Sequence, residues 1–292
     1  MITEALTKVI NLPCWKGTVY PERITGGITN INLIVEDEGK KYVIRIADDI
    51  VFHQVMRFNE LAASKAAYSA GISPDVTYSE PGVLVLQFIE GKTLAAKDIQ
   101  KRDMLKRIVP VIQTCHRDVK KYIRGPVLAF WVFHVVNDYA STLKNAKSRM
   151  VDQLPALLTA AENLEKAVGM IELIWGHNDL LPANFIDDGT KVWLIDWDYA
   201  GFNSPLFDLG GLASNCELNT GDEEWLLESY YDKPVTDPLR YQYFAMKCAS
   251  LLRESMWSMV SEIYSNIDFD FKGYTDTNLA AFKEQYKIFL SM

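Results

Sequence analysis

GHNDLLPANF, residues 176–185, places Asp179 and Asn184 five residues apart, with apolar residues and a proline between them. LIDWDYAG, residues 194–201, follows closely and adds Asp196 and Asp198. A soluble chain gains nothing in packing from such a cluster of short polar side chains, so the stretch asks for a chemical reason. An upstream stretch competes with it. CHRDVKKYI, residues 115–123, holds a His-Arg-Asp tripeptide. Five residues beyond Asp118, however, stands Ile123, which has no side-chain oxygen to offer a metal. No strand ending in Ile-Asp follows it. LKRIVPVIQTCHRDV (105–119) reads as a helix, which makes His116, Arg117 and Asp118 part of a helix face.

Working outward, the region around the cluster is the exception in a mainly helical second part of the chain. LIWGH, NFIDD and KVWLIDW are short apolar runs between residues 173 and 197, with a hairpin turn at Asp187-Asp188-Gly189. Asp196 is expected at the end of the strand VWLID, with Asp198 pointing the same way if the strand continues. The first part of the chain reads differently. INLIVEDEGKKYVIRIA (31–47) is a hairpin around a Glu-Asp-Glu-Gly-Lys turn. VMRFNELAASKAAYSAG (55–71) has helical periodicity and ends at Gly71, a natural C-cap. A short strand pair around Pro81-Gly82 ends in VLVLQFIEG. The expected architecture is α+β and bilobal. A β-rich lobe spans residues 1–90, a helical lobe spans 91–292, and the cleft between them is a usual ligand position.

Composition bounds the partners. The 292 residues are 49% hydrophobic, enough for a large core and against broad disorder. A net charge of -8 argues against nucleic acid as partner, because phosphate backbones are held by clustered Lys and Arg. The four cysteines are scattered and form no Cys-x-x-Cys pair, so neither a zinc site nor a disulfide framework is expected. MITEALTKVI lacks the pattern of a signal peptide. The longest apolar stretch, VLAFWVFHVV from Val127, is about half of the roughly 20 residues a membrane span needs and reads as a buried helix. No membrane span and a cytoplasmic location are expected.

Phosphoryl transfer from ATP explains the polar cluster. Metal ions must bridge the phosphates, a carboxylate must orient the attacking hydroxyl, and cations and backbone N–H groups must steady the charge. Asp179 suits the base. Asn184, Asp196 and Asp198 offer hard oxygens to Mg2+. In the first lobe, RITGGITNINLIV sets Gly26 and Gly27 between strands, where a backbone can approach phosphate closely. Arg45 lies on the apolar strand YVIRI, and a buried Arg needs a partner. Glu60 in the following helix is the natural one.

Taken together, GGITN, VIRI, GHNDLLPANF, LIDWDYAGFNSPLFDLG and SMWSMVSEI resemble the choline/ethanolamine kinase family, within the protein-kinase-like group that includes aminoglycoside phosphotransferases. The resemblance runs from about Ile24 to the C-terminal helices and implies a protein-kinase-like fold. It implies ATP and Mg2+ as cofactors and a small-molecule cationic alcohol, choline or ethanolamine, as acceptor. Asp179 is then the catalytic base, with Asn184 and Asp196 as magnesium ligands and Asp198 serving a second metal. Arg45, held by Glu60, is the phosphate cation. Gly27, Thr29 and Asn30 belong to the phosphate loop, the backbone of Gln87 and Ile89 holds adenine, and Asp208 braces the catalytic loop. In the acceptor pocket, Trp257 matches a family aromatic and Glu217 a pocket acid. Glu254 stands where the family often has Trp, which weakens an aromatic box and strengthens ion pairing. Tyr241, Tyr243 and Tyr264 are further aromatics in the same tail. The competing readings are an aminoglycoside-type phosphotransferase and a nucleotide-binding pseudokinase.

Overall fold

The computed structural model describes residues 2–24 and 31–292, with the side chains of residues 2 and 3 excepted. The phosphate-loop residues Gly26, Gly27, Thr29 and Asn30 lie outside the described residues. Helix α1 (Ile2–Ile10) leads into β1 (Glu22–Arg23), β2 (Ile31–Asp37) and β3 (Lys40–Ile46). After helix α2 (Arg57–Ser69), β4 (Val76–Glu80) and β5 (Val83–Gln87) complete an antiparallel sheet of order β1-β2-β3-β5-β4. The expected hairpin is present: Asp37 pairs with Lys40 across a two-residue turn, Glu38-Gly39, both at positive φ, which matches the twist of the strands. Leu33, Val35, Ile44, Val83 and Val85 fill one face of the sheet against Val9 and Leu12. That is how a chain with period-2 patterning buries half of each strand.

Helix α2 ends as its sequence predicts. The Gly71 N–H donates to Tyr68 O (2.8 Å) and the Ile72 N–H to Ala67 O (3.0 Å), a paired C-terminal cap. Its small residues Ala63, Ala66 and Ala67 join the larger core rather than the sheet's own. The helix is therefore a bridge between the lobes, and Ile72 O accepts from the Leu194 N–H at 2.8 Å.

The rest is mainly helical. Strand β6 (Lys92–Thr93), α3 (Ala96–Ile99), α4 (Arg102–Asp118), α5 (Val132–Asn145) and α6 (Leu154–Val168) precede the loop-rich centre. There β7 (Ile174–Gly176), β8 (Phe185–Asp187), β9 (Val192–Leu194) and β10 (Gly201–Asn203) form two small sheets, β10-β7 and β6-β8-β9. Helices α7 (Pro205–Asn215), α8 (Thr220–Tyr231), α9 (Asp237–Tyr264) and α10 (Phe271–Phe289) follow. The crossing between lobes passes Gly91, where a Cβ would lie 2.8 Å from Asp187 O, so the linker can lie flat on the β8–β9 hairpin only without a side chain.

Two expectations need correction. VLAFWVFHVV is helical only from Val132. Its first residues run extended, because Phe202 O and Leu128 O exchange backbone bonds with Phe130 and Phe202 (2.9 and 3.0 Å) and extend the β10 edge. The strand before Asp196 stops at Leu194, and Asp196 itself turns to φ 70°. No helix among the described residues is long and apolar enough to cross a membrane. All four cysteines are free thiols.

Helix α9 is the axis of the large lobe, packed by α5, α6, α7 and α10. At the α7–α9 crossing, Gly210 lies so close that a Cβ would sit 2.8 Å from Lys247 Cα. Neither backbone can give way cheaply in a close-packed core. Gly210→Ala is expected to destabilise the protein by roughly 1–3 kcal/mol through overpacking, read from chemical unfolding.

Candidate active site

Asp208, in the first turn of α7, is the hidden centre of the loop that carries Asp179. Its carboxylate accepts from the His177 N–H (2.8 Å), the Asn178 N–H (2.7 Å) and His116 Nε2 (2.9 Å). His116 is held in turn at Nδ1 by the Tyr230 hydroxyl, 2.8 Å away. Asn178 takes φ 65°, a conformation Asn tolerates. Its side-chain amide donates to Tyr199 O (2.9 Å) and its carbonyl accepts from Asn203 Nδ2 (2.9 Å). The loop bearing Asp179 is thereby fixed to the loop after Asp198. His177 adds a third tie, donating from Nε2 to Ile195 O at 2.9 Å.

Past Asp179 the chain tightens into a turn. Asp179 O accepts from the Leu181 N–H and from Asn184 Nδ2, both at 2.8 Å. Committing Nδ2 in this way orients the Asn184 side chain and turns its carbonyl oxygen away from that contact. The Asn184 O also accepts from the Ile195 N–H at 3.0 Å, which brings Asn184 beside Asp196.

The sheet meets this loop system through Arg45. Its Nη1 lies 2.6 Å from Glu60 Oε1, 2.9 Å from Asp196 Oδ1 and 2.8 Å from Asp198 Oδ1. Arg57, which the sequence reading did not single out, adds Nη1 contacts to Glu60 (2.7 Å) and Asp198 (2.9 Å). Its signal was there: Arg57 and Glu60 are spaced i,i+3 on one helix. Two guanidiniums thus face three carboxylates. Asp196 keeps 29% of its side chain exposed, whereas Asp198 keeps 6%. Burial opposes the ionisation of Asp196, but Arg45 outweighs it and holds the carboxyl below its ordinary range. Burial and then the Asp196 charge push Asp198 up to about 7.

On the opposite side of Asp179 stands α9. Arg253 Nη1 lies 3.9 Å from Asp179 Oδ1 and 3.0 Å from Glu254 Oε2. Glu254 also accepts from the Tyr274 hydroxyl at 2.8 Å. Trp257 donates its indole N–H to the Tyr199 hydroxyl (2.8 Å) and stacks on His53 with centroids 5.0 Å apart. It lines a cavity of about 210 Å³ with Phe52, His53, Tyr264 and Phe271. Burial pushes the Asp179 carboxyl up to about 8; Arg253 opposes this, and Glu254, Asp196 and Asp198 reinforce it.

The structure therefore draws together Asp179, Asn184, Asp196, Asp198, Arg45 and Glu60, with Glu254 and Trp257 on the α9 wall. Glu217 stands apart, exposed in the turn after α7 at φ 51°. Gln87 ends β5 with its N–H donated to Asp75 O (2.9 Å), and Ile89 follows at the crossing between lobes. Tyr241 stacks on Phe289 and Tyr243 donates to Glu223, both far along α9 from Trp257, whereas Tyr264 borders the cavity. Arg253 and Tyr199 escaped the sequence reading because an Arg and a Tyr carry no spacing signal of their own.

A family model described as choline/ethanolamine kinase matches residues 22–243. The protein LicA of Haemophilus influenzae is 29% identical over 214 residues, 70% of this chain and 61% of that protein's length. A probable ethanolamine kinase of Arabidopsis thaliana is 25% identical over 304 residues, covering 93% of this chain and 80% of that protein. A crystal structure of a choline/ethanolamine kinase family protein from Mesorhizobium loti superimposes with a TM-score of 0.78 at 27% identity, covering 98% of this chain and 94% of that one.

Two measurements follow from the buried polar groups. Asp208→Ala strands two backbone donors and His116 without their acceptor, and a loss of roughly 3 kcal/mol in unfolding free energy is expected. His53, bonded to the Tyr139 and Ser261 hydroxyls, is held neutral by burial and then by Arg253, with its pKa lowered to about 3. The unfolded chain takes up a proton near the ordinary imidazole pKa and the folded chain does not. This contribution to stability is complete above about pH 6.5 and is lost as pH falls toward 3. Against His53→Gln, the wild type should lose an additional amount of about 1.4 kcal/mol per pH unit between those limits, read from unfolding curves.

Proposed function

We propose, from the premise that the chain belongs to the choline/ethanolamine kinase family, that this site moves the terminal phosphoryl group of ATP to the hydroxyl of a small cationic amino alcohol such as choline or ethanolamine. The observation that carries the reading is the convergence of Asp179 and Asn184 from one loop, Asp196 from a second and Arg45 from β3 on one place. No packing need brings these residue types together at a cleft.

In this reading Asp179 accepts the proton of the acceptor hydroxyl as its oxygen attacks the terminal phosphorus in line, and ADP departs from the opposite side. The raised affinity of Asp179 for a proton suits a base that must take one and release it near neutral pH. Arg45, steadied by Glu60, adds positive charge beside the phosphates. The donor set fits Mg2+: the oriented Asn184 carbonyl and the part-exposed Asp196 carboxylate are hard oxygens, and Asp198 backs them. A metal bound there neutralises charge on the phosphate oxygens. Phe88, Gln87 and Ile89 at the lobe crossing form the adenine side of the cleft in this scheme, and the family resemblance assigns Gly27, Thr29 and Asn30 to the phosphates. Glu254 and Trp257 receive the cationic end of the acceptor. The names of the matched relatives, kinases of ethanolamine or of choline and ethanolamine, support the same acceptor class.

The test is ATP-to-ADP turnover with Mg2+ against choline, ethanolamine and aminoglycosides. Asp179→Asn should lower kcat on the favoured alcohol by on the order of 100- to 10,000-fold while leaving nucleotide affinity within a few fold. Equal turnover in this variant would remove Asp179 from the role, and aminoglycoside turnover alone would replace the acceptor class.

A further inference from the structure

We infer that Arg253 occupies the position of a ligand cation in the acceptor pocket, and that the pocket is thereby set for a primary ammonium alcohol against a quaternary one. The inference rests on the amino-alcohol reading above and narrows it.

A quaternary ammonium has no N–H to donate, so proteins hold it with aromatic faces and nearby carboxylates. In this chain those groups already surround a cation. The Arg253 guanidinium carbon lies 4.2 Å from the Tyr199 ring centroid and 5.5 Å from that of Phe130. Asp179 and Glu254 flank its Nη1. Only 4% of the side chain is exposed. Buried arginines are usually satisfied by forked hydrogen bonds. Here Nε and Nη2 are buried with no hydrogen-bond partner among the described residues. Ring faces and charge hold the group, in the manner of a bound organic cation.

The surroundings leave little for a second such cation. The Trp257 indole N–H is committed to Tyr199, and one ring face is covered by His53. A trimethylammonium beside Arg253 meets like charge and can return no hydrogen bond for it. A primary ammonium differs. Its three N–H groups can reach the Glu254 carboxylate, which remains 22% exposed and whose oxygens accept more than the single bonds from Tyr274 and Arg253. Because one guanidinium nitrogen neighbours both Glu254 and Asp179, the two carboxylates lie within the span of a two-carbon amino alcohol hydrogen-bonded at both ends. The hydroxyl then rests at Asp179 and the ammonium at Glu254.

The experiment compares kcat/KM for ethanolamine and choline in the wild type, Arg253→Ala and Arg253→Met, alongside thermal shifts with tetramethylammonium chloride. The wild type should favour ethanolamine by roughly 100-fold or more. It should show no tetramethylammonium shift beyond that of an equal concentration of sodium chloride. Arg253→Ala should lower the ethanolamine preference at least tenfold, gain a tetramethylammonium shift, and recover the preference when guanidinium is added. If the alanine variant does not fold, Arg253→Met fills the volume without charge and must show the same loss of preference. Choline turnover by the wild type equal to that on ethanolamine overturns the inference, as does an unchanged preference in the folded variants. If the wild type phosphorylates neither alcohol, the amino-alcohol reading falls. The tetramethylammonium shifts then decide separately whether Arg253 fills a cation site.

Discussion

The Nη1 atom of Arg45 is within hydrogen-bond reach of three carboxylates drawn from α2 and from the loop after β9. That contact joins the sheet to the loop that follows β9. Beside the apolar bridge that α2 makes to the large core, charge ties the sheet to the loops of the helical lobe. Burying an arginine on a strand is costly without partners and rigidly directional with them. Glu60 supplies the local partner, and Asp196 and Asp198 supply partners more than a hundred residues away. Arg57 reinforces the arrangement from the same helix turn as Glu60. Position in the cleft is thus fixed by few atoms, and those atoms are the ones to which the proposed reaction gives phosphate and metal chemistry.

A second carboxylate, Asp208, plays the corresponding part inside the large lobe. Its oxygens gather two consecutive backbone N–H groups of the loop and an imidazole of α4. The polar loop, anchored in the core by Leu180 and Phe185, stays ordered because its buried backbone donors at His177 and Asn178 find an acceptor. The His-Arg-Asp tripeptide belongs to this support. Its histidine reaches Asp208, its arginine lies over Tyr230, and its aspartate pairs with Lys121 on the surface.

The lobes, the 31–47 hairpin and the α2 cap were readable because each follows from local periodicity and turn chemistry. The loop carrying Asp179 was readable because its residue types have no packing explanation. What stayed hidden was non-local. The extended start of VLAFWVFHVV depends on a backbone partner at Phe202, and an apolar run alone does not distinguish strand from helix. Asp196 leaves the strand register early because Arg45 and the Asn184 turn hold it there. Arg253 gave no signal at all: only the fold shows that it faces Tyr199, Glu254 and Asp179 together.

Helix α9 carries Arg253, Glu254 and Trp257 within five consecutive positions, while four other helices clamp its flanks. In the reading proposed above these three side chains face the acceptor, which puts acceptor choice on a rigid rod rather than on an exchangeable loop. Divergence toward a new substrate can proceed by single side-chain replacements along that rod, leaving the backbone, the cleft and the phosphoryl-transfer residues in place. An insertion or deletion in the same segment would rotate all three side chains away at once and tear the core with them. The architecture makes specificity cheap to vary by substitution and nearly closed to change by length.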